Sequence, residues 1–154
     1  AMGTLGFERG TAFMAQQLRF AKEFANVREL AQRKGVAEDP EIRQRLARAY
    51  GELEIMRWSG LRNVTRFIKG GQPGPEGSIG KLFWSKWHQR LGELEADLLG
   101  ADALIMHDEG SLEHDFQHTF LFSRAHTIYA GSTEIQRNIV GERVLGLPKE
   151  PSAG

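Results

Sequence analysis

The chain has 154 residues, 40% of them hydrophobic, 26% charged and 9% aromatic, enough for one domain that buries roughly 68–70% of its unfolded surface. Basic and acidic residues number 20 each, a balance that argues against intrinsic disorder and against a polyanion binder, which carries a basic excess. The lack of cysteine excludes disulfides and thiolate chemistry, while the absence of any apolar run near ~20 residues or of a secretory pattern predicts a soluble, cytoplasmic protein without a membrane span.

Hydrophobic period predicts helices throughout. From Thr4 to Lys34 apolar residues recur at Phe7, Met14, Leu18, Ala21, Ala25 and Leu30, and Gly35 stands where a C-cap glycine belongs. Asp39-Pro40-Glu41 reads as a restart: an N-cap, a proline at the first helical position and an early acid. The stripe after it runs from Ile42 through Leu46, Ala49, Leu53, Met56 and Gly60 to Ile68. It predicts a helix of about 30 residues, ~45 Å long at 1.5 Å per residue. The glycines and prolines of residues 70–75 end it in a loop. Ser78 is expected to cap a third helix, with Phe83, Trp87, Leu91, Leu94 and Leu98 on one side, fading between Leu104 and Gly110. A polar stretch from His107 to Asp115 and an apolar segment from Phe116 to Ile128 follow. Thr133 and Gln136 have the spacing of a capping box before the last helix, which Gly146-Leu147-Pro148 stops. No segment alternates with period two. The prediction is an all-α bundle of three long and two shorter helices over residues 1–148, with a flexible tail at 149–154.

Little of this carries chemistry by itself. His107, His114 and His118 lie among acids, and His114 and His118 would share a helix face, as a metal pair requires. A solvated loop leading into a helix start explains the same residues, and no metal is expected. No phosphate-binding glycine motif follows a strand, and no nucleophile elbow is present. The arginines between Arg43 and Arg66 alternate with Glu52 and Glu54, which fits a solvated face better than a nucleic-acid track.

Two segments resemble a known family. The run from Ala125 to Pro148, AHTIYAGSTEIQRNIVGERVLGLP, resembles the C-terminal signature of acyl-CoA dehydrogenases. Residues Met2 to Gly10, MGTLGFERG, resemble the first helix of the same domain, and the stretches 74–82 and 88–91 are similar to bacterial members; the whole resembles fatty-acid or steroid side-chain degrading members. The resemblance implies the family's C-terminal helical domain. The helical N-terminal and β-barrel domains that normally precede it would belong to a longer parent chain. It also implies FAD, bound weakly or not at all by this domain alone, an acyl-CoA substrate, an electron-transfer partner and a homo- or hetero-oligomer. Family enzymes desaturate the thioester between its α and β carbons: a carboxylate takes the α proton while hydride leaves the β carbon. The carboxylate of many members stands before a Gly-Thr or Gly-Ser pair, where this chain has Ala130. Others carry it on the first helix in an x-Glu-Arg setting, which here is Glu8. By resemblance, Glu8 is the base, Arg9 lies beside substrate or flavin, and Ser132 and Glu134 contact FAD. The family's Arg-x-x-Phe-Gly and Gln-x-x-Gly-Gly-x-Gly elements are replaced by residues 28–35 and 97–103. Those departures and Ala130 support a second expectation, a catalytically silent assembly subunit.

Overall fold

The structure is a computed structural model that describes residues 2–149 except 72, 73, 75 and 76, with side chains from residue 15 onward. The described backbone is all helical, with α1 at Met2–Arg33, α2 at Pro40–Ile68, α3 at Gly77–Leu99, α4 at Leu112–Phe122 and α5 at Thr133–Ile139. Three long and two short helices match the sequence expectation. The side chains of Glu8 and Arg9 and the tail beyond Lys149 lie outside the described residues.

Local chemistry sets the helix ends. Asp39 caps α2 by accepting from the backbone N–H of Glu41 at 2.9 Å and of Ile42 at 3.1 Å, and Pro40 supplies a pre-set φ. Gly35 takes φ 72° after α1, a conformation that a β-carbon disfavours. The third helix begins at Gly77, so Ser78 lies inside its first turn and does not cap it. That helix ends at Leu99 and tightens into a 3-10 segment at Gly100–Leu104, with Gly100 at φ 64°. The fourth begins four residues earlier than the apolar segment suggested. Ser111 caps it by accepting from His114 N–H at 3.1 Å, and Glu113 and Asp115 favour its positive end. It stops at Phe122, and a 3-10 turn at Ala125–Thr127 splits off the rest of the apolar run. The cap of α5 is Ser132, not Thr133: the Ser132 hydroxyl accepts from Ile135 N–H at 3.4 Å. Thr133 is buried and donates to the Thr127 carbonyl at 3.5 Å instead. A π turn at Val140–Val144 continues α5, and Gly146 at φ 69° ends it.

The core sits between α1, α2 and α3. Helix α2 contributes Leu46, Ala49, Leu53 and Met56, spaced three and four apart as read from the sequence. Helix α3 contributes Trp87, Leu91, Leu94 and Leu98, and the Trp87 indole N–H donates to the Ala49 carbonyl at 2.9 Å. Helix α1 corrects the expected phase. Its buried face is Phe20, Phe24, Val27 and Leu30, whereas Leu18 is 75% exposed and Ala21 and Ala25 face outward. The bulky aromatics decide the face because they bury several times the area of an alanine. Helices α3 and α4 approach closely at Gly92, where an added β-carbon would lie 2.8 Å from Phe120 Cα.

Candidate functional site

The turn between the 3-10 segment and α5, Tyr129-Ala130-Gly131-Ser132, is the most constrained stretch of the described backbone. Ala130 is its only described non-glycine residue with positive φ, 54°, and Gly131 follows at φ 95°. Such conformations cost a β-carbon about 1–2 kcal/mol and persist where surroundings over-determine them. Here two side chains do so, and a third anchors the 3-10 segment before the turn. Gln136 Nε2 donates to the Ala130 carbonyl at 2.9 Å, and Lys81 Nζ donates to the Gly131 carbonyl at 2.8 Å. Gln89 Nε2 donates to Thr127 Oγ1 at 3.3 Å. Partial burial pushes the Lys81 pKa down. At Gly131 the positive φ requires glycine, and an added β-carbon would also displace the Gln136 amide from its bond to Ala130.

Behind the turn lies a cluster of aromatic and ionisable groups. The His126 ring meets Trp84, Phe122 and Tyr129 edge-on, with centroids 4.9, 5.2 and 5.5 Å away. Its Nδ1 lies 2.8 Å from His88 Nδ1, and His88 Nε2 lies 3.0 Å from Glu23 Oε2. Burial, then the neighbouring His88, Arg19, Lys81 and His118, lowers the His126 pKa to about 4. Burial pushes the Tyr129 hydroxyl up, opposed by Arg19. Further along α3, Glu95 is 1% exposed, and neither carboxyl oxygen has a hydrogen-bond partner among the described residues. Burial first, and then Glu23 and Asp115, raise its pKa well above the ordinary carboxylate value.

At the start of α5 the Ser132 hydroxyl caps the helix and also bonds the Glu134 carboxylate. Glu134 is exposed, and its own backbone N–H, Ser132, Arg137 and Lys86 together hold its pKa below the usual range. A fixed anion therefore already occupies this helix start. The pair fits the hydroxyl-bearing or N–H-bearing parts of FAD, which a carboxylate can accept from, and does not fit its pyrophosphate.

The three histidines of the acidic stretch do not converge. His107 Nε2 bonds the Asp102 carbonyl at 2.9 Å, while His118 stacks on Phe122 at 5.2 Å. Among the described residues no three His, Asp or Glu side chains gather as a metal site. Glu23 and Glu95 were not singled out from sequence, and Lys81 and His88 only within the stretches 74–82 and 88–91 that resemble the family. The signal was present, since His88 and Glu95 interrupt the apolar stripe of α3 at core positions.

Comparison with known proteins places the fold. The family model for the acyl-CoA dehydrogenase C-terminal domain matches residues 1–145. Acyl-CoA dehydrogenase IpdE1 of Mycolicibacterium smegmatis is 48% identical over 150 residues, covering 97% of this chain and 36% of that protein. The IpdE1 protein of Mycobacterium tuberculosis is 45% identical over 156 residues, covering 97% of this chain and 38% of its own length. The chain thus spans little more than a third of these relatives. Among solved structures, the Tcur3481-Tcur3483 steroid ACAD superposes with TM-score 0.79 at 23% identity, covering 92% of this chain and 38% of that one. The ChsE4-ChsE5 complex from Mycobacterium tuberculosis gives 0.69 at 23%, covering 86% and 36%. The two structures share the fold, and the family match over nearly the whole length does the rest: the chain belongs to the acyl-CoA dehydrogenase family, as its C-terminal domain.

Proposed function

We propose that this chain is the C-terminal part of a FAD-dependent enzyme that desaturates an acyl-CoA thioester between its α and β carbons, with Glu8 as the base. The observation that carries the reading is the 48% identity, over 97% of the chain, to a protein named an acyl-CoA dehydrogenase. When bound, the flavin supplies a hydride acceptor. This chain supplies the proton acceptor and part of the wall of the site. Proton abstraction from an α carbon needs a positioned carboxylate near its working pKa. Ala130 offers none, which leaves the task to Glu8, with Arg9 beside the substrate. Lys81 and Gln136 fix the turn before α5, and Ser132 and Glu134 accept from hydroxyls of the cofactor.

The substrate is an acyl-CoA with a fatty or steroid side chain, and the working protein is an oligomer. The apolar groove between α1 and α2, lined by Leu18, Ala21, Leu53, Leu61 and Val64, supports assembly, since such surfaces are rarely left to water. No helix among the described residues is long and apolar enough to cross a membrane. A second reading, a silent assembly subunit, is favoured by one observation, the alanine at position 130 held in a turn without a proton acceptor. The test is incubation of the full-length protein with acyl-CoA thioesters and an artificial electron acceptor. Formation of the α,β-enoyl thioester supports the reading. A folded, flavin-loaded protein that makes none, and gains activity only through a partner's base, establishes the second.

A further inference from the structure

Three buried or half-buried ionisable groups on three separate elements form a continuous hydrogen-bonded chain that the proposed reaction does not use. Glu23 on α1, with its side chain 21% exposed, lies at one end. Its Oε2 is 3.0 Å from His88 Nε2 on α3, and His88 Nδ1 is 2.8 Å from His126 Nδ1 in the 3-10 turn. Both rings are held in place by packing. His88 lies parallel to Trp87 within 9°, and His126 is boxed by Trp84, Phe122 and Tyr129.

The protons in this chain follow from donor and acceptor rules. An ionised carboxylate only accepts, so His88 Nε2 carries the proton between them. The two Nδ1 atoms, 2.8 Å apart, share a single proton. Three arrangements satisfy both contacts, and burial disfavours the one that leaves a doubly protonated His126 beside a neutral His88; the other two are these. In one, both rings are neutral, His126 Nδ1–H donates to His88 Nδ1, and His126 Nε2 keeps a lone pair. In the other, His88 is an imidazolium between Glu23 and His126, and the proton of His126 sits on Nε2. One step converts the first into the second. A proton binds His126 Nε2, the Nδ1–H bond of His126 breaks, and an N–H bond forms on His88 Nδ1. The positive charge ends on His88, against the Glu23 carboxylate, and never rests on His126. No described residue hydrogen-bonds His126 Nε2, and the ring lies 5.5 Å from that of Tyr129, next to Ala130.

We propose that Glu23, His88 and His126 form a proton relay that takes up a proton at Nε2 of His126, whose ring lies beside that of Tyr129, and that ends at the half-buried Glu23. Its service to a substrate rests on the proposed function; its existence does not. Burial holds the His126 pKa down to about 4, so charge is disfavoured on that ring and the relay places it on His88. The charged groups facing it are Arg19 on α1, 3.6 Å from Glu23, Lys81 and Glu95 on α3, and His118 on α4.

The experiment uses the full-length protein with ring-15N histidine, assigned with His126→Phe and His88→Gln. The expected result is a through-hydrogen-bond N–N coupling between the two Nδ1 atoms. It comes with one shared titration, in which His126 moves its proton from Nδ1 to Nε2 as His88 gains its second. Absence of the coupling, or a doubly protonated His126 beside a neutral His88, overturns the relay. Glu23→Gln is isosteric and partly exposed, so the fold survives, and loss of the anion lowers the relay's midpoint by about 1–3 units. An unmoved midpoint overturns the role of Glu23. The pH profile of kcat/KM with an acyl-CoA thioester should move with the midpoint in Glu23→Gln. A profile that stays put while the midpoint moves severs the relay from the site and leaves the dehydrogenase reading intact. A wild-type protein without turnover overturns that reading, while the nuclear magnetic resonance arms still decide the relay.

Discussion

Gly92→Ala tests the close packing of α3 on α4. In a helix interior the replacement should help, because alanine is favoured over glycine by about 0.8–1.0 kcal/mol. The contact opposes it. The new β-carbon would stand 2.8 Å from Phe120 Cα, 3.1 Å from Phe120 N and 3.3 Å from Thr119 C, all backbone atoms that cannot rotate away. Restoring an ordinary separation of 3.4 Å means moving α4 by about 0.6 Å relative to α3. Overpacking of this kind costs about 1–3 kcal/mol, so the net result is a loss of about 1 kcal/mol and at most about 2. Gly51→Ala is the control, because Gly51 lies inside α2 with nothing within 4 Å of its added β-carbon. It should gain about 0.8–1.0 kcal/mol, placing the two variants about 2 kcal/mol apart. Urea titrations followed by circular dichroism read the difference as a shift in midpoint at constant slope. A Gly92→Ala protein as stable as the Gly51→Ala protein would refute the close approach.

Two further changes probe the fold. Asp39→Ala removes the two cap bonds at the start of α2 and should cost about 0.5–2 kcal/mol in the same titration, with Asp39→Ser recovering most of it. Glu95→Gln should change how stability depends on pH. The folded carboxyl has a raised pKa, so the folded state holds a proton that the unfolded chain releases above its ordinary value of 4.5. The native protein is therefore favoured below that value and loses stability as pH rises toward the folded pKa. The glutamine variant lacks this loss, and parallel stability curves for the two proteins would contradict the buried neutral acid.

The parts of this architecture that depend on neighbouring residues were legible in the sequence. Asp39-Pro40 announces a helix start because the cap forms within three residues, and Gly35 marks an end because its φ is positive. The α2 stripe is legible because only one face is apolar. The face of α1 was not, because Leu18, Ala21 and Ala25 form a second apolar stripe and only packing against Trp84 and Trp87 selects Phe20. Ser111 followed by Glu113 and Asp115 was a legible start signal for α4, obscured by the three histidines around it. Ser132 and Thr133 are both competent caps, and the choice between them is made by Thr127, across the turn. The candidate site divides the same way. Ala130, Ser132 and Glu134 lie in one contiguous run that resemblance exposes. The contact between His88 and His126 spans 38 residues, and nothing local to either residue encodes it.

Glu8→Gln in the full-length protein tests the proposal that this domain supplies the base of an acyl-CoA dehydrogenase from its first helix. The substitution keeps size and hydrogen bonding while removing the ability to accept the α proton. Positioned proton transfer contributes about 10²–10⁴-fold, so turnover with an acyl-CoA thioester should fall by that order while flavin content and substrate affinity stay near wild type. Turnover within a factor of a few of the wild-type rate, with flavin content unchanged, would place the base elsewhere and contradict the account.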